Sequence, residues 1–149
     1  MSVAMFMGLV FAPSERVQGE VYRLLFVHVP SAWLAFLAFG VVAIASALYL
    51  IRGSSRWDHL AAASAEVGVM FTTLTLATGS IWGRSVWGVW WQWDPRLTTT
   101  LVMWFIYAGY LSLRAYIDEP EIRYRSAAVL GVLGVVSIPL VWFSVEWWR

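Results

Sequence analysis

Residues 81–98, IWGRSVWGVWWQWDPRLT, separate two long apolar runs and contain five of the chain's 11 tryptophans: Trp82, Trp87, Trp90, Trp91 and Trp93. Two glycines interrupt the indoles of this tryptophan segment, and Asp94 and Arg96 follow them. One interpretation is an interfacial aromatic belt, because indole rings favour the headgroup level of a bilayer. A belt does not require such density, so we favour a flat apolar platform with a polar rim. Such a platform suits a flat, hydrophobic ligand that carries acidic groups.

The composition places the chain in a membrane. Of its 149 residues, 60% are hydrophobic and only 13% are charged, so its surface is too apolar for water. The net charge of +1 provides no global field that would recruit nucleic acid. Cysteine is absent, which excludes disulfides, thiolate metal sites and thioether attachment of a cofactor through this chain.

The apolar pattern predicts one all-α domain over residues 1–149, a polytopic membrane helix bundle with four full transmembrane helices. A helix that crosses a hydrocarbon core of about 30 Å needs roughly 20 apolar residues. Four runs are long enough, at residues 30–51, 60–81, 97–117 and 126–143. Residues 1–12 suffice only for a partial N-terminal helix.

A short interfacial amphipathic helix is predicted before the first full span. Ser14 can cap it, with Glu15 in its first turn, and residues from Val17 to His28 recur at helical spacing. Pro30 suits the first position of the next helix and disfavours helical geometry in the residue before it. His28 is therefore expected at the mouth of the first full span.

The second span has one small, hydroxyl-bearing face, which permits close helix approach. Its members recur at helical spacing: Gly68, Thr72, Thr75 and Gly79. Glu66 in the same span is either a functional intramembrane carboxylate or a group that snorkels or pairs with Arg56. We favour the second interpretation, because ionisable groups near span ends escape much of the desolvation cost.

Two prolines indicate features of the later spans. Asp94 followed by Pro95 is typical of a helix start, with a capping carboxylate and a first-turn proline. Pro139 predicts a kink in the fourth span.

Counting membrane crossings places His28, the tryptophan segment and the C-terminal tryptophans Trp147 and Trp148 on one face of the membrane, with His59 on the other. Five arginines lie on each side, so the positive-inside rule assigns no cytoplasmic face.

The face shared by His28 and the tryptophan segment offers what a haem requires: a nitrogen ligand for iron, an aromatic seat and cations for two propionates. His28 can bind the iron, and Arg84 and Arg96 can pair with the propionates. The remaining candidate haem-binding residues are Trp82, Trp87, Trp90, Trp91, Trp93 and Asp94. The alternatives are a hydrogen-bonded interfacial role for His28 and an ion pair between Arg96 and Asp94.

Three motifs resemble one known family: LFVHVPSAW at residues 25–33, WGVWWQWDPRLTT at 87–99 and FSVEWWR at 143–149. They are similar to the haem-handling membrane proteins with a tryptophan-rich WWD signature, and within these to the CcmC family of bacterial cytochrome c maturation. The resemblance covers nearly the whole chain. It implies that a non-covalent b-type haem is bound at the periplasmic face of the inner membrane and delivered to the chaperone CcmE. It also implies CcmD, a small membrane protein, and the ABC-type subunits CcmA and CcmB as partners.

The resemblance implies specific roles for residues of this chain. His28 corresponds to the family's first axial ligand, and the haem-contacting signature corresponds to Trp87, Trp90, Trp91, Trp93, Asp94 and Arg96. The family has six spans and a second axial histidine after the WW pair of the fifth span. This chain ends at Arg149, before that position, and His59 is on the other face. We therefore expect a fragment of a six-span protein, truncated at both ends, with one remaining iron ligand.

The sequence is also compatible with other functions. A structural or permease-type subunit of a membrane transporter complex would use the tryptophans to dock a partner or lipid. A related WWD-family cytochrome c haem lyase would have additional spans and histidines. An intramembrane enzyme that uses Glu66 and Asp94 is disfavoured, because these carboxylates are expected near opposite membrane faces. We expect a haem transport and delivery protein that binds and hands off its cargo without catalysis.

Overall fold

Long α-helices form most of the computed structural model, which describes residues 3, 6–13, 16 and 18–147. The α-helices are α1 (Leu25–Arg52), α2 (Ser55–Trp87), α3 (Pro95–Tyr116), α4 (Pro120–Gly134) and α5 (Ser137–Trp147). A 3-10 segment, Glu20–Leu24, runs directly into α1, and a π-helical turn spans Met7–Phe11. No strand ladder occurs among the described residues, and the predicted all-α class is confirmed.

The start of α3 follows the local chemistry of its first residues. The backbone N–H of Leu97 donates to a carboxylate oxygen of Asp94 at 2.9 Å, and Pro95 occupies the first helical position. This cap satisfies a backbone donor that has no partner inside the helix. The predicted helix start at Asp94 and Pro95 is confirmed.

Replacing Asp94 by alanine is expected to lower the free energy of unfolding by about 1 kcal/mol, the usual cost of losing such a cap. Thermal unfolding of the detergent-solubilised protein, followed by circular dichroism, measures the loss. Asp118→Ala is the matched control, because Asp118 is an exposed carboxylate in the loop before α4. An equal loss in both variants would contradict the capping role.

The predicted helix boundary at Pro30 is wrong, because α1 begins at Leu25 and carries Pro30 inside it. The helical path extends back through the 3-10 segment, so the described residues show no separate amphipathic helix. Its predicted cap, residues 14–15, lies outside the described residues. The hydroxyl of Ser31 donates to the carbonyl of Val27 at 2.6 Å, in the turn that the proline disturbs. This bond adds a second donor to the turn beside the proline, although the carbonyl that Pro30 leaves without a backbone donor is that of Phe26.

The bundle centre is an aromatic layer between glycines of neighbouring helices. The rings of Phe39 and Tyr107 stack with centroids 3.6 Å apart and an angle of 7°, and both side chains are fully buried. A Cβ on Gly68 would collide with the Phe39 ring, and a Cβ on Gly134 would lie 3.2 Å from Tyr107. The predicted small face of α2 is therefore confirmed as a packing surface, and its other three residues are also buried.

A buried ion pair joins α2 to α3 at the end of the bundle remote from the tryptophan segment. The guanidinium of Arg114 donates to both carboxylate oxygens of Asp58, at 2.5 and 2.7 Å, and Asp58 is only 2% exposed. The rings of Tyr110 and Tyr124 lie 5.7 and 5.8 Å from the guanidinium carbon. This two-point geometry fixes the relative register of the two helices.

Glu66 lies on the exposed side of α2. Among the described residues, its carboxylate forms no ion pair with Arg56, since the two ion pairs found there are Arg23–Glu20 and Arg114–Asp58. The predicted Arg56 partner is therefore not observed, and the interpretation of Glu66 as a snorkelling group stays a prediction.

Three segments of the described chain are long and apolar enough to cross a membrane: Glu20–Arg52, Ser55–Trp87 and Pro120–Trp147. The 22 residues of α3 would span about 33 Å at 1.5 Å per residue, but three consecutive threonines and two arginines make it less apolar. The third predicted span, residues 97–117, therefore stays a prediction, and so does the count of four full spans. The kink expected at Pro139 is confirmed, because the helix breaks at residues 135–136, about one turn before it.

Candidate functional site

A cavity of about 730 Å³ lies between α1, α2, α3 and α5. Its volume is within the range of about 300–1,000 Å³ that is typical of small-molecule sites. Most of its lining is apolar or aromatic. The polar side chains of the lining are His28, Thr72, Thr75, Thr78, Asp94, Arg96, Thr100 and Glu146.

His28 is the fourth residue of α1 and packs against the C-terminal part of α2. Its Nδ1 lies 2.9 Å from the hydroxyl oxygen of Thr78. Since Thr78 is one turn before Trp82, His28 and the tryptophan segment share one end of the bundle, as the crossing count predicts. His59 lies at the other end of α2, with its ring centroid 6.1 Å from that of Tyr124.

Two indoles of the tryptophan segment line the cavity. Trp82 and Trp87 meet edge to face, with ring centroids 5.3 Å apart. The indole N–H of Trp82 donates to the side-chain oxygen of Gln18 at 3.1 Å. A Cβ on Gly83 would lie 3.1 Å from Trp87, so this glycine lets the Trp87 ring fold back along α2. Gly88 then ends the helix with a φ of 78°, a conformation that favours glycine.

The other three indoles of the segment lie outside the cavity lining. Trp90 and Trp93 are 61% and 74% exposed, and Trp91 is half-buried with its ring 5.7 Å from that of Trp93. Arg84 is also outside the lining, because its guanidinium donates to the carbonyl of Gly88. The cavity thus brings together five of the predicted site residues: His28, Trp82, Trp87, Asp94 and Arg96.

The charged side chains at the cavity differ in whether they can pair with a ligand. The Asp94 carboxylate accepts from the backbone N–H of Leu97 in the α3 cap, and the ion pairs of the described residues do not include the alternative pairing of Asp94 with Arg96. Within the described part of the chain, neither ion pair involves Arg96, so its guanidinium can pair with an anionic ligand. Glu146 adds a second carboxylate from α5.

Several lining residues were not predicted from the sequence. Trp33 and Trp142 meet across α1 and α5 with centroids 5.6 Å apart, and both line the cavity. Trp33 lies within the LFVHVPSAW motif and Glu146 within FSVEWWR, so those motifs could have indicated them. Thr78 and Trp142 belong to no motif, and only the packing of the helices identifies them as cavity residues.

The donor set does not resemble a site for a bare metal ion. No group of three or more His, Cys, Asp or Glu side chains converges in the part of the chain that the structure describes. A single imidazole is instead suited to an iron whose equatorial positions are filled by a porphyrin.

Comparison with known proteins assigns the family. The profile of the CcmC family, described as Heme exporter protein C, matches residues 1–149. The chain belongs to the CcmC family. Membership agrees with the motifs at residues 25–33, 87–99 and 143–149, and the predicted resemblance is confirmed.

Curated relatives are similar over nearly the whole of this CcmC-family chain. Heme exporter protein C of Bradyrhizobium diazoefficiens is 42% identical over 138 residues, and that of Escherichia coli K12 is 38% identical over 149. The putative cytochrome c biosynthesis ccmC-like mitochondrial protein of Marchantia polymorpha is 37% identical over 148 residues. These matches cover 93%, 100% and 99% of this chain, but 52%, 61% and 62% of the relatives. The chain therefore spans between about half and three fifths of their length.

Proposed function

We propose that this chain binds haem in the cavity beside the tryptophan segment and delivers it to a periplasmic chaperone during maturation of c-type cytochromes. The names of the relatives support haem handling, since two are heme exporters and one is named for cytochrome c biosynthesis. The observation that carries the proposal is the meeting of one imidazole, four indoles and one guanidinium at a single cavity, two of the indoles being Trp82 and Trp87 of the tryptophan segment.

Each group has a distinct task in this proposal. His28 binds the iron, and Trp82 and Trp87 contact the macrocycle. Arg96 pairs with a propionate, for which a guanidinium offers two parallel donors. The haem is held without a covalent thioether bond, because the chain has no cysteine.

Delivery requires that a partner reach the haem. The exposed indoles of Trp90 and Trp93 lie beside the cavity residues in sequence, and exposed apolar patches commonly mark interaction sites. We place the contact with the chaperone CcmE there, on the periplasmic side of the bacterial inner membrane. CcmD, CcmA and CcmB belong to the proposal as membrane partners of the same system.

The test is the haem content of the purified protein with and without the imidazole. We expect His28→Ala to lower haem per protein at least about tenfold, because loss of a group that only supports a ligand already costs about 10–100-fold in metal affinity. The absorption spectrum and a pyridine haemochrome assay measure the change. His59→Ala is the matched control at the other end of α2 and should retain haem. Equal haem content in all three proteins would favour a structural or permease-type subunit.

A further inference from the structure

Three residues of α2 surround the His28 imidazole: Thr75, whose backbone also hydrogen-bonds to the ring, Thr78 and Gly79. Thr78 places its hydroxyl oxygen 2.9 Å from Nδ1. Gly79 lies against the ring edge, where a Cβ would be 3.3 Å from Cε1 and 3.9 Å from Nδ1. Thr78 and Gly79 therefore contact one side of the ring, the side that carries Nδ1.

The direction of the hydrogen bond follows from counting protons. The Thr78 hydroxyl has one proton, and its oxygen lies 2.7 Å from the carbonyl of Leu74 and 3.2 Å from that of Thr75. Carbonyl oxygens only accept, so the hydroxyl proton is directed to them. This arrangement leaves the Thr78 oxygen as the acceptor for His28, which assigns the imidazole proton to Nδ1. In a neutral imidazole the lone pair is consequently on Nε2.

Gly79 provides the space that this arrangement needs. A methyl group there would approach the imidazole at 3.3 Å, so the ring would have to shift by a few tenths of an ångström, while the Leu97 side chain at 3.6 Å would be in ordinary contact. Without the methyl group, the ring can approach α2 closely enough for Nδ1 to reach Thr78. The hydrogen bond and the close approach thus depend on consecutive residues of one helix.

We propose that Thr78 and Gly79 are positioning residues that fix His28 in its Nδ1–H tautomer and present Nε2 to the haem iron. The inference rests on the proposed function, in which His28 is the iron ligand. Hydrogen bonds to the second nitrogen of a ligating histidine orient the ring and raise its basicity. Thr78 accordingly sets both the geometry and the donor strength of the iron ligand.

The main test is a titration of the detergent-purified full chain with haem b. Thr78→Val removes the acceptor at nearly constant volume, and we expect the Kd for haem to rise about 10–100-fold. Thr78→Ser keeps the hydroxyl and should bind like the wild type. Thr99→Val is the matched control, because Thr99 makes the same kind of 2.7 Å bond to a carbonyl one turn back, on α3. Thr78→Ala replaces Thr78→Val if the valine variant does not accumulate.

A double-mutant cycle separates this inference from the proposed function. In the His28→Ala background, Thr78→Val should cause no further change in Kd, because its effect acts through the imidazole. A further rise of the same size would overturn the positioning role. If His28→Ala lowers affinity but Thr78→Val does not, the inference fails while the haem site stands. If His28→Ala itself leaves the Kd unchanged, both fail.

Gly79→Ala gives an independent readout of ring position. We expect it to weaken haem binding and shift the Soret band, since the added methyl group displaces the imidazole. Gly109→Ala is the control, because a Cβ at Gly109 meets nothing within 4 Å. An unaltered Soret band and Kd in Gly79→Ala would contradict the close-approach role.

Discussion

Replacing Asp58 by alanine is expected to destabilise the helix bundle by about 3–5 kcal/mol, the cost of leaving one member of a buried ion pair without its partner. The remaining guanidinium of Arg114 is 14% exposed and lies between two tyrosine rings. It would lose two short hydrogen bonds and gain little water in exchange. Thermal unfolding in detergent should show a strongly lowered midpoint.

Two comparisons make the ion-pair prediction specific. Glu66→Ala removes a carboxylate from the exposed side of the same helix and should leave the midpoint nearly unchanged. The double variant Asp58→Ala with Arg114→Met should recover much of the loss, because it no longer buries an unpaired charge. A midpoint for Asp58→Ala equal to that of Glu66→Ala would show that the pair does not hold α2 and α3 together.

The ion pair also shows where sequence reasoning stops. Asp58 and Arg114 are 56 residues apart, and no periodicity links them. Asp58 looks like an ordinary first-turn acid, and Arg114 like one of several arginines near a span end. Their pairing depends on the crossing of α2 and α3, so only the folded bundle reveals it.

Predictions from short sequence patterns were correct where interactions between residues close in the chain determine the structure. Asp94 and Pro95 start α3 as predicted, since a cap involves only residues three apart. The glycine and threonine face of α2 was also predictable from helical spacing. Pro30 was mispredicted because the boundary rule considers only the chain around the proline. Pro30 removes one backbone hydrogen bond, but the helix continues through it from Leu25 to Arg52, because the other backbone hydrogen bonds of a long apolar helix outweigh that local loss.

The location of the candidate site was predictable from the sequence, but the set of residues that line it was not. Motifs and crossing parity brought His28 to the same end of the bundle as the tryptophans. They did not distinguish indoles that face the cavity from indoles that face outward. That difference arises at Gly88, where α2 ends and the chain leaves the helix axis. Trp82 and Trp87 lie before this point and line the cavity, whereas Trp90 and Trp93 lie after it, are more exposed than Trp87 and do not line the cavity.

This division predicts opposite effects for two pairs of tryptophans. Trp82→Ala with Trp87→Ala should raise the Kd for haem b about a hundredfold to a thousandfold, because aromatic anchors that a bound ligand covers cost about 2 kcal/mol or more each when truncated and about 1.4 kcal/mol is tenfold in affinity. Their edge-to-face contact makes the two losses partly shared. Haem titration of the purified protein measures the effect.

Trp90→Ala with Trp93→Ala removes the same number of indoles from the exposed part of the segment. Haem affinity of the isolated protein should stay close to that of the wild type, because neither ring lines the cavity. Transfer of bound haem to the purified chaperone should fall, because these rings form the proposed docking surface. If this pair instead abolished haem binding while Trp82→Ala with Trp87→Ala did not, the haem would lie on the outer indoles and the cavity would have another role.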